Sequence, residues 1–126
     1  MRLLWVENHA VFARMAGRQF LAADNLTIVP SLAQARELLT AMTFHVVLLD
    51  YDLNDGKGTS LIEVIRKLPS IPLVVATSAH EEGNRLLLAA GADAVCPKSR
   101  FGEMEKILSR VAHVQGGKAD DTRNGG

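Results

Sequence analysis

The stretch that most constrains this chain is Phe44-His45-Val46-Val47-Leu48-Leu49-Asp50-Tyr51-Asp52-Leu53-Asn54-Asp55-Gly56-Lys57-Gly58. A short run rich in Val and Leu stops at a carboxylate and passes into a polar, glycine-containing loop. An unbroken apolar run of this length suits a strand buried on both faces, as in a parallel sheet. Open α/β sheets place their chemistry at the carboxyl ends of such strands. Asp50 is therefore the first candidate for a reactive group, with Asp52 and Asp55 beside it.

Taken alone, the acidic loop admits several readings. Asp50, Asp52 and Asn54 mimic the start of a calcium loop, but the glycine falls one place late and Leu61 stands where a bidentate Glu is needed. Asp-x-Asp after an apolar strand resembles the nucleophile motif of the haloacid-dehalogenase-like phosphatases. A solvated acidic turn is the bland reading. The remainder of the chain decides between them.

Before Asp50, Leu3-Leu4-Trp5-Val6 reads as a buried strand ending in Glu7-Asn8, with Trp5 in the core. Phe12, Met15-Ala16 and Phe20 then recur at helical spacing, up to about Ala23. Leu26–Val29 is a second strand. Ser31 with Gln34 signals a capping box, opening a helix with Leu32, Ala35, Leu38-Leu39 and Met42 on its apolar face. After the acidic loop, Ser60 with Glu63 signals another box and a short third helix ended by Pro69. Leu73–Ala76 is a fourth strand, terminating in Thr77-Ser78. A fourth helix spans Glu81 to Ala90, weakened by Gly83 and closed by Gly91. Ala94-Val95-Cys96 is the fifth strand, and Pro97 after it suits a sheet edge. The last helix runs from about Phe101 to His113. Residues 1–114 are expected to form one domain, and the polar residues 115–126 a disordered tail. Strict β-α alternation implies a parallel sheet with helices on both faces.

Composition narrows the function. Lys+Arg and Asp+Glu balance at 14 each among 126 residues, so charge gives no argument for direct nucleic-acid or anionic-membrane binding. One cysteine, Cys96, excludes an internal disulfide and fits a reducing cytoplasm, with a buried thiol expected. No apolar stretch is long enough to span a membrane, and Met1-Arg2 runs straight into a strand, without a signal peptide. His9, His45, His80 and His113 show no ligand spacing and are read as non-metal residues.

The first polar residues after the apolar runs are Glu7 and Asn8, Asp50, Thr77 and Ser78, and Lys98. In a doubly wound sheet these ends converge on one crevice. Acids, a hydroxyl and an ammonium together suit phosphoryl transfer: a metal offsets charge, Asp50 attacks phosphorus, and Thr77 and Lys98 hold phosphoryl oxygens.

Over residues 1–114 the chain resembles the response-regulator receiver domain, including stand-alone, chemotaxis-regulator-like receivers. The matching pieces are Val6-Glu7-Asn8-His9, Leu48 to Gly58, Pro72 to Thr77, Ala90-Gly91-Ala92-Asp93 and Lys98-Ser99, in order and at matching spacing. The resemblance implies a flavodoxin-like α/β fold, with five helices around a five-stranded parallel sheet of order 2-1-3-4-5, an order for which this family is itself a standard example. It implies phosphorylation of Asp50 by a sensor histidine kinase or phosphotransfer protein. Thr77 and Lys98 are then its catalytic partners. Magnesium would be held by Glu7, Asn8, Asp50 and the backbone carbonyl of Asp52. Apart from the resemblance, the Asp52 side chain, two residues past Asp50, is expected to recover through a bridging water part of what Asn8 loses. A downstream protein would dock on the face of the fourth helix, fifth strand and last helix, where homodimerisation is also open.

The chain departs from the family pattern at several positions. Asn8 replaces the second acid, Asn54 the loop proline, Val95 the aromatic switch residue and Ser99 the proline after the lysine. The segment from Thr77 to Gly91 is slightly short. Three functions follow. The first is a phosphoacceptor receiver, a regulatory protein without turnover, acting through a protein contact or cut from a longer output protein. The second is a pseudo-receiver, a phosphorylation-independent binding module with its metal site disabled by Asn8. The third is the dehalogenase-like phosphatase, which lacks an early nucleophile strand and a later acidic pair. No G-x-G-x-x-G follows the first strand, which argues against a dinucleotide site.

Overall fold

A computed structural model of the chain describes residues 1–111. The strands of its main sheet are β1 (Arg2–Val6), β2 (Asn25–Val29), β3 (Val46–Leu49), β4 (Leu73–Ala76) and β5 (Ala94–Val95). They are parallel and lie in the order β2-β1-β3-β4-β5, as the alternation predicts. Between them run α1 (Ala10–Phe20), α2 (Leu32–Ala41), α3 (Thr59–Arg66) and α4 (Glu81–Ala90). After β5 a 3-10 segment, Lys98–Glu103, kinks at Arg100 and leads into α5, helical over residues 104–111. The fold is flavodoxin-like α/β, and the tail expected over 115–126 lies outside the described residues.

Alternate side chains of the central strands feed two cores, because successive strand residues point to opposite faces. Leu4, Val6, Val47, Leu49, Val74 and Ala76 join the layer under α2, α3 and α4. Leu3, Trp5, Val46, Leu48 and Val75 join the layer under α1 and α5, where Phe101 stacks on Trp5 with ring centroids 4.6 Å apart. Cover on both faces is what an uninterrupted apolar strand requires.

Several local expectations are corrected. Met15, expected on the apolar face, is 65% exposed, whereas α1 turns Ala13, Ala16 and Gly17 inward. A Cβ on Gly17 would lie 2.8 Å from Leu26 Cδ2, so the helix approaches too closely for a large residue to lead the contact. Met15 is two residues from both Ala13 and Gly17, about 200° round the helix. Met42 falls at the C-cap of α2, 40% exposed. The Ser60–Glu63 box does not form: α3 starts at Thr59 behind Gly58, and Ser60 Oγ donates to the Lys57 carbonyl at 2.9 Å. The last helix begins as the 3-10 segment rather than at Phe101. Gly83, read from the sequence only as weakening α4, is also a buried contact, since a Cβ there would stand 2.8 Å from Ser78 Oγ and 2.9 Å from Tyr51 Cβ.

Candidate functional site

Backbone ladders carry each site residue one step past its strand. Asp50 N donates to Val6 O at 3.1 Å, Thr77 N to Leu49 O at 2.9 Å and Glu7 N to Val29 O at 2.9 Å. The side chains therefore leave the same edge of the sheet. Glu7 and Thr77 are fully buried, and Asp50 is 3% exposed. Lys98 reaches across from beyond β5: its Nζ is 2.7 Å from Glu7 Oε1, 3.1 Å from Asp50 Oδ2 and 3.4 Å from His9 Nδ1. Behind the ammonium stands the Phe12 ring, 5.7 Å away.

The loop after Asp50 is held by close approach. Gly58 N donates to Tyr51 O at 2.7 Å, and a Cβ on Gly58 would fall 2.1 Å from the Asp50 carbonyl oxygen. Asp52 and Leu53 pair with Lys57 and Gly56 in a small antiparallel ribbon. The Asp52 side chain, 61% exposed, is ion-paired to Lys57. Asp55 turns the other way and caps α2, accepting from Leu32 N at 2.9 Å and Ala33 N at 3.0 Å. These bonds hold its carboxyl below the usual value.

Two buried carboxylates share one ammonium. Burial pushes the Asp50 carboxyl above its usual value and the Glu7 charge adds to the rise, against the opposing pull of Lys98. Asp50 Oδ1 accepts the Tyr51 N–H at 2.8 Å, which leaves Oδ2 toward Lys98. Thr77 Oγ1 is buried without a hydrogen-bond partner. Ser78 Oγ instead accepts from His80 N at 3.3 Å, so of the two neighbouring hydroxyls it is that of Thr77 which is unengaged. Cys96 lies apart, its Sγ 3.4 Å from the Arg100 carbonyl, and burial pushes its thiol up to about 11.

The donor set fits a hard divalent cation. Asn8 Nδ2 donates to Asn54 Oδ1 at 3.2 Å, and the Asn8 Oδ1 atom is buried without a partner. The Glu7 and Asp50 carboxylates, with an amide oxygen on the residue next to Glu7, supply the kind of oxygen donors magnesium and calcium take. Sequence reasoning set His9 aside, yet its Nδ1 lies 3.0 Å from Glu7 Oε2, and ligand atoms of Glu7, His9 and Asp50 all fall within 4.8 Å of one another. Its place directly after Glu7-Asn8 was the available signal.

A family model for the response regulator receiver domain matches residues 3–112. The chain belongs to that family: it is a receiver domain of the two-component response regulators. It is 32% identical over 114 residues to the KDP operon transcriptional regulatory protein KdpE of Escherichia coli (strain K12), covering 87% of this chain and 50% of that protein. The chain thus spans about half the length of this curated relative. Among solved structures, the response regulator TrrA of Thermotoga maritima in complex with Mg(2+)-BeF superposes with a TM-score of 0.77 at 17% identity, covering 86% of this chain and 96% of that one. A response regulator of Burkholderia pseudomallei, with a phosphorylated aspartic acid, a calcium ion and citrate, gives 0.73 at 21% identity, covering 95% and 74%.

Proposed function

We propose that Asp50 is the phosphoacceptor of a two-component pathway, receiving its phosphoryl group from a sensor histidine kinase or phosphotransfer protein. The observation that carries this reading is the juxtaposition of Asp50 Oδ2 with Lys98 Nζ at 3.1 Å, beside an unpartnered, buried Thr77 hydroxyl. Asp50 Oδ2 attacks phosphorus, the bond from phosphorus to the donor nitrogen breaks, and an acyl phosphate forms on Asp50. Lys98 follows the new charge onto a phosphoryl oxygen, and Thr77 Oγ donates to another. Glu7, Asn8, Asp50 and the Asp52 carbonyl would hold magnesium, which offsets negative charge on the transferring group when bound. The protein then acts as a switch without substrate turnover.

A cytoplasmic location goes with this reading, and no helix among the described residues is long and apolar enough to cross a membrane. Output runs through protein contact. The proposed face combines α4, β5 and α5, and between β5 and the last helix lies a groove of about 690 Å³ lined by Val95, Pro97, Arg100, Glu103 and Ile107, without a residue of α4. A second copy of the chain is another candidate occupant. The pseudo-receiver reading draws on Asn8, which removes one acid from the metal set. Intact mass after treatment with an acyl phosphate and magnesium separates the two. One phosphoryl group on wild type and none on Asp50→Asn supports the phosphoacceptor; none on either supports the pseudo-receiver.

A further inference from the structure

Five polar or charged side chains are buried among the described residues: Glu7, Asp50, Thr77, Ser78 and Asn84. The first four stand at strand ends around the site. Asn84 stands on α4, 4% exposed, and the proposed chemistry does not use it. A buried amide is costly unless its donor and acceptor groups are engaged. Asn84 engages them on one residue. Its Oδ1 accepts the Ser78 N–H at 2.8 Å, and its Nδ2 donates to the Ser78 carbonyl at 3.1 Å. Only this orientation of the amide sets a donor against an acceptor at both ends.

Ser78 is a junction. It is one peptide from Thr77, and its carbonyl also accepts the backbone N–H of Lys98 at 3.3 Å. The same first turn of α4 contains Gly83, whose missing Cβ lets the helix pack against Ser78 and Tyr51. Tyr51 in turn follows Asp50 and donates its N–H to the Asp50 carboxylate at 2.8 Å. The start of α4 therefore bonds or touches Ser78 and Tyr51, the residues that follow Thr77 and Asp50, and is joined to Lys98 through the Ser78 carbonyl. Val95, half-buried on β5, offers no ring to link the site to the outer face.

We propose that Asn84 is a positioning residue that couples the phosphoacceptor site to α4. When Thr77 turns its hydroxyl to a phosphoryl group, the Ser78 peptide moves with it. The two bonds from Asn84 carry that displacement into the helix rather than letting the loop move alone. The inference rests on Asp50 being the phosphoacceptor, and it names how occupancy of that site reaches the α4 surface.

The test is amide hydrogen exchange with and without an acyl phosphate and magnesium, with intact mass read on the same samples. In wild type, phosphorylation should change exchange at residues 77–79 and along Glu81–Ala90 together. In Asn84→Ala, uptake of the phosphoryl group and the change at 77–79 should persist. The phosphorylation-dependent change in Glu81–Ala90 should fall at least about fivefold, as expected from losing two hydrogen bonds at the low end of their net strength. A merely structural role would raise exchange in α4 equally in both states and leave that difference intact. An undiminished α4 response in the variant, or no α4 response in wild type, overturns the coupling. If Asn84→Ala does not fold, Asn84→Leu decides: it keeps the side-chain volume and loses both bonds. Its α4 response should fall by the same factor, and a full response overturns the proposal. Absence of any phosphoryl group on wild type is distinct, being read in the mass, and removes the phosphoacceptor reading together with the coupling.

Discussion

The Lys98 ammonium lies 2.7 Å from Glu7 Oε1, closer than its 3.1 Å approach to Asp50 Oδ2. Before phosphorylation, then, Glu7 is its nearer carboxylate. Both acids are almost fully buried, so one cation serves two charges withdrawn from water. The arrangement favours arrival of further positive charge, and it leaves the resting protein with an electrostatic cost.

That cost is testable by removing the Asp50 charge. Asp50→Asn keeps the shape and abolishes the repulsion with Glu7, so it should raise stability on the order of 1 kcal/mol, a few degrees in Tm. The sign with pH follows from linkage. Because burial and Glu7 raise the folded pKa of Asp50, its destabilisation is absent below the unfolded value, about 3.9. It sets in as pH rises through the folded value and is complete above it. Thermal melts of the two proteins should converge in acid and separate toward neutral pH. A constant difference across that range would place the origin elsewhere.

Gly58 is fixed by space alone. A Cβ would stand 2.1 Å from the Asp50 carbonyl oxygen, a backbone atom that cannot swing aside. Gly58→Ala should therefore destabilise by roughly 2–4 kcal/mol and displace the loop that carries Asp50. Chemical denaturation measures the first effect. Uptake of phosphate by whatever fraction stays folded measures the second, with a loss expected.

Asp55 links the acidic loop to α2 by capping it, and the Leu32 and Ala33 N–H groups depress its carboxyl pKa. A depressed folded value means the stabilisation is present above the unfolded pKa of about 3.9 and is lost as pH falls through the folded value. Asp55→Asn should thus be less stable than wild type near neutrality, with the gap narrowing in acid. Urea midpoints at a series of pH values would show this, and a gap that widens in acid would contradict it.

What could be read from the sequence, and what could not, divides along physical lines. Val46–Leu49, Leu73–Ala76 and Leu3–Val6 are uninterrupted apolar runs, and double cover by helices makes such runs legible as central strands. The polar residue ending each run was equally legible, and Glu7, Asp50 and Lys98 meet within ion-pair distance. Contacts set by the third dimension were not. Ser60 and Glu63 have capping-box spacing, but Gly58 is drawn to Tyr51 and starts α3 earlier. Met15 matches the helical period, but close packing at Gly17 selects another face. The two bonds from Asn84 to Ser78 join residues six apart through a loop whose path no periodicity encodes.

The last prediction concerns magnesium. Asn8 presents a buried Oδ1 with no partner, so residue 8 can still supply an oxygen ligand, but without the charge that an aspartate would bring. Restoring it adds one negative charge next to a divalent cation. At the dielectric of water that attraction is about 2 kcal/mol at ~4 Å, twice the value for a unit pair. Neglecting screening and ligand desolvation, it corresponds to roughly 30-fold in affinity. Asn8→Asp should therefore bind magnesium more tightly, whereas Asp52→Asn should bind like wild type, because the Asp52 carboxylate is exposed and paired with Lys57. Trp5 supplies the readout. It is fully buried, stacked on Phe101 and edge-on to Phe12, whose ring faces the Lys98 ammonium. A cation drawn to Glu7 and Asp50 should shift Lys98 and, through Phe12, the surroundings of the indole. Equal affinities for wild type and Asn8→Asp in a fluorescence titration, checked by calorimetry, would show that residue 8 is not a ligand.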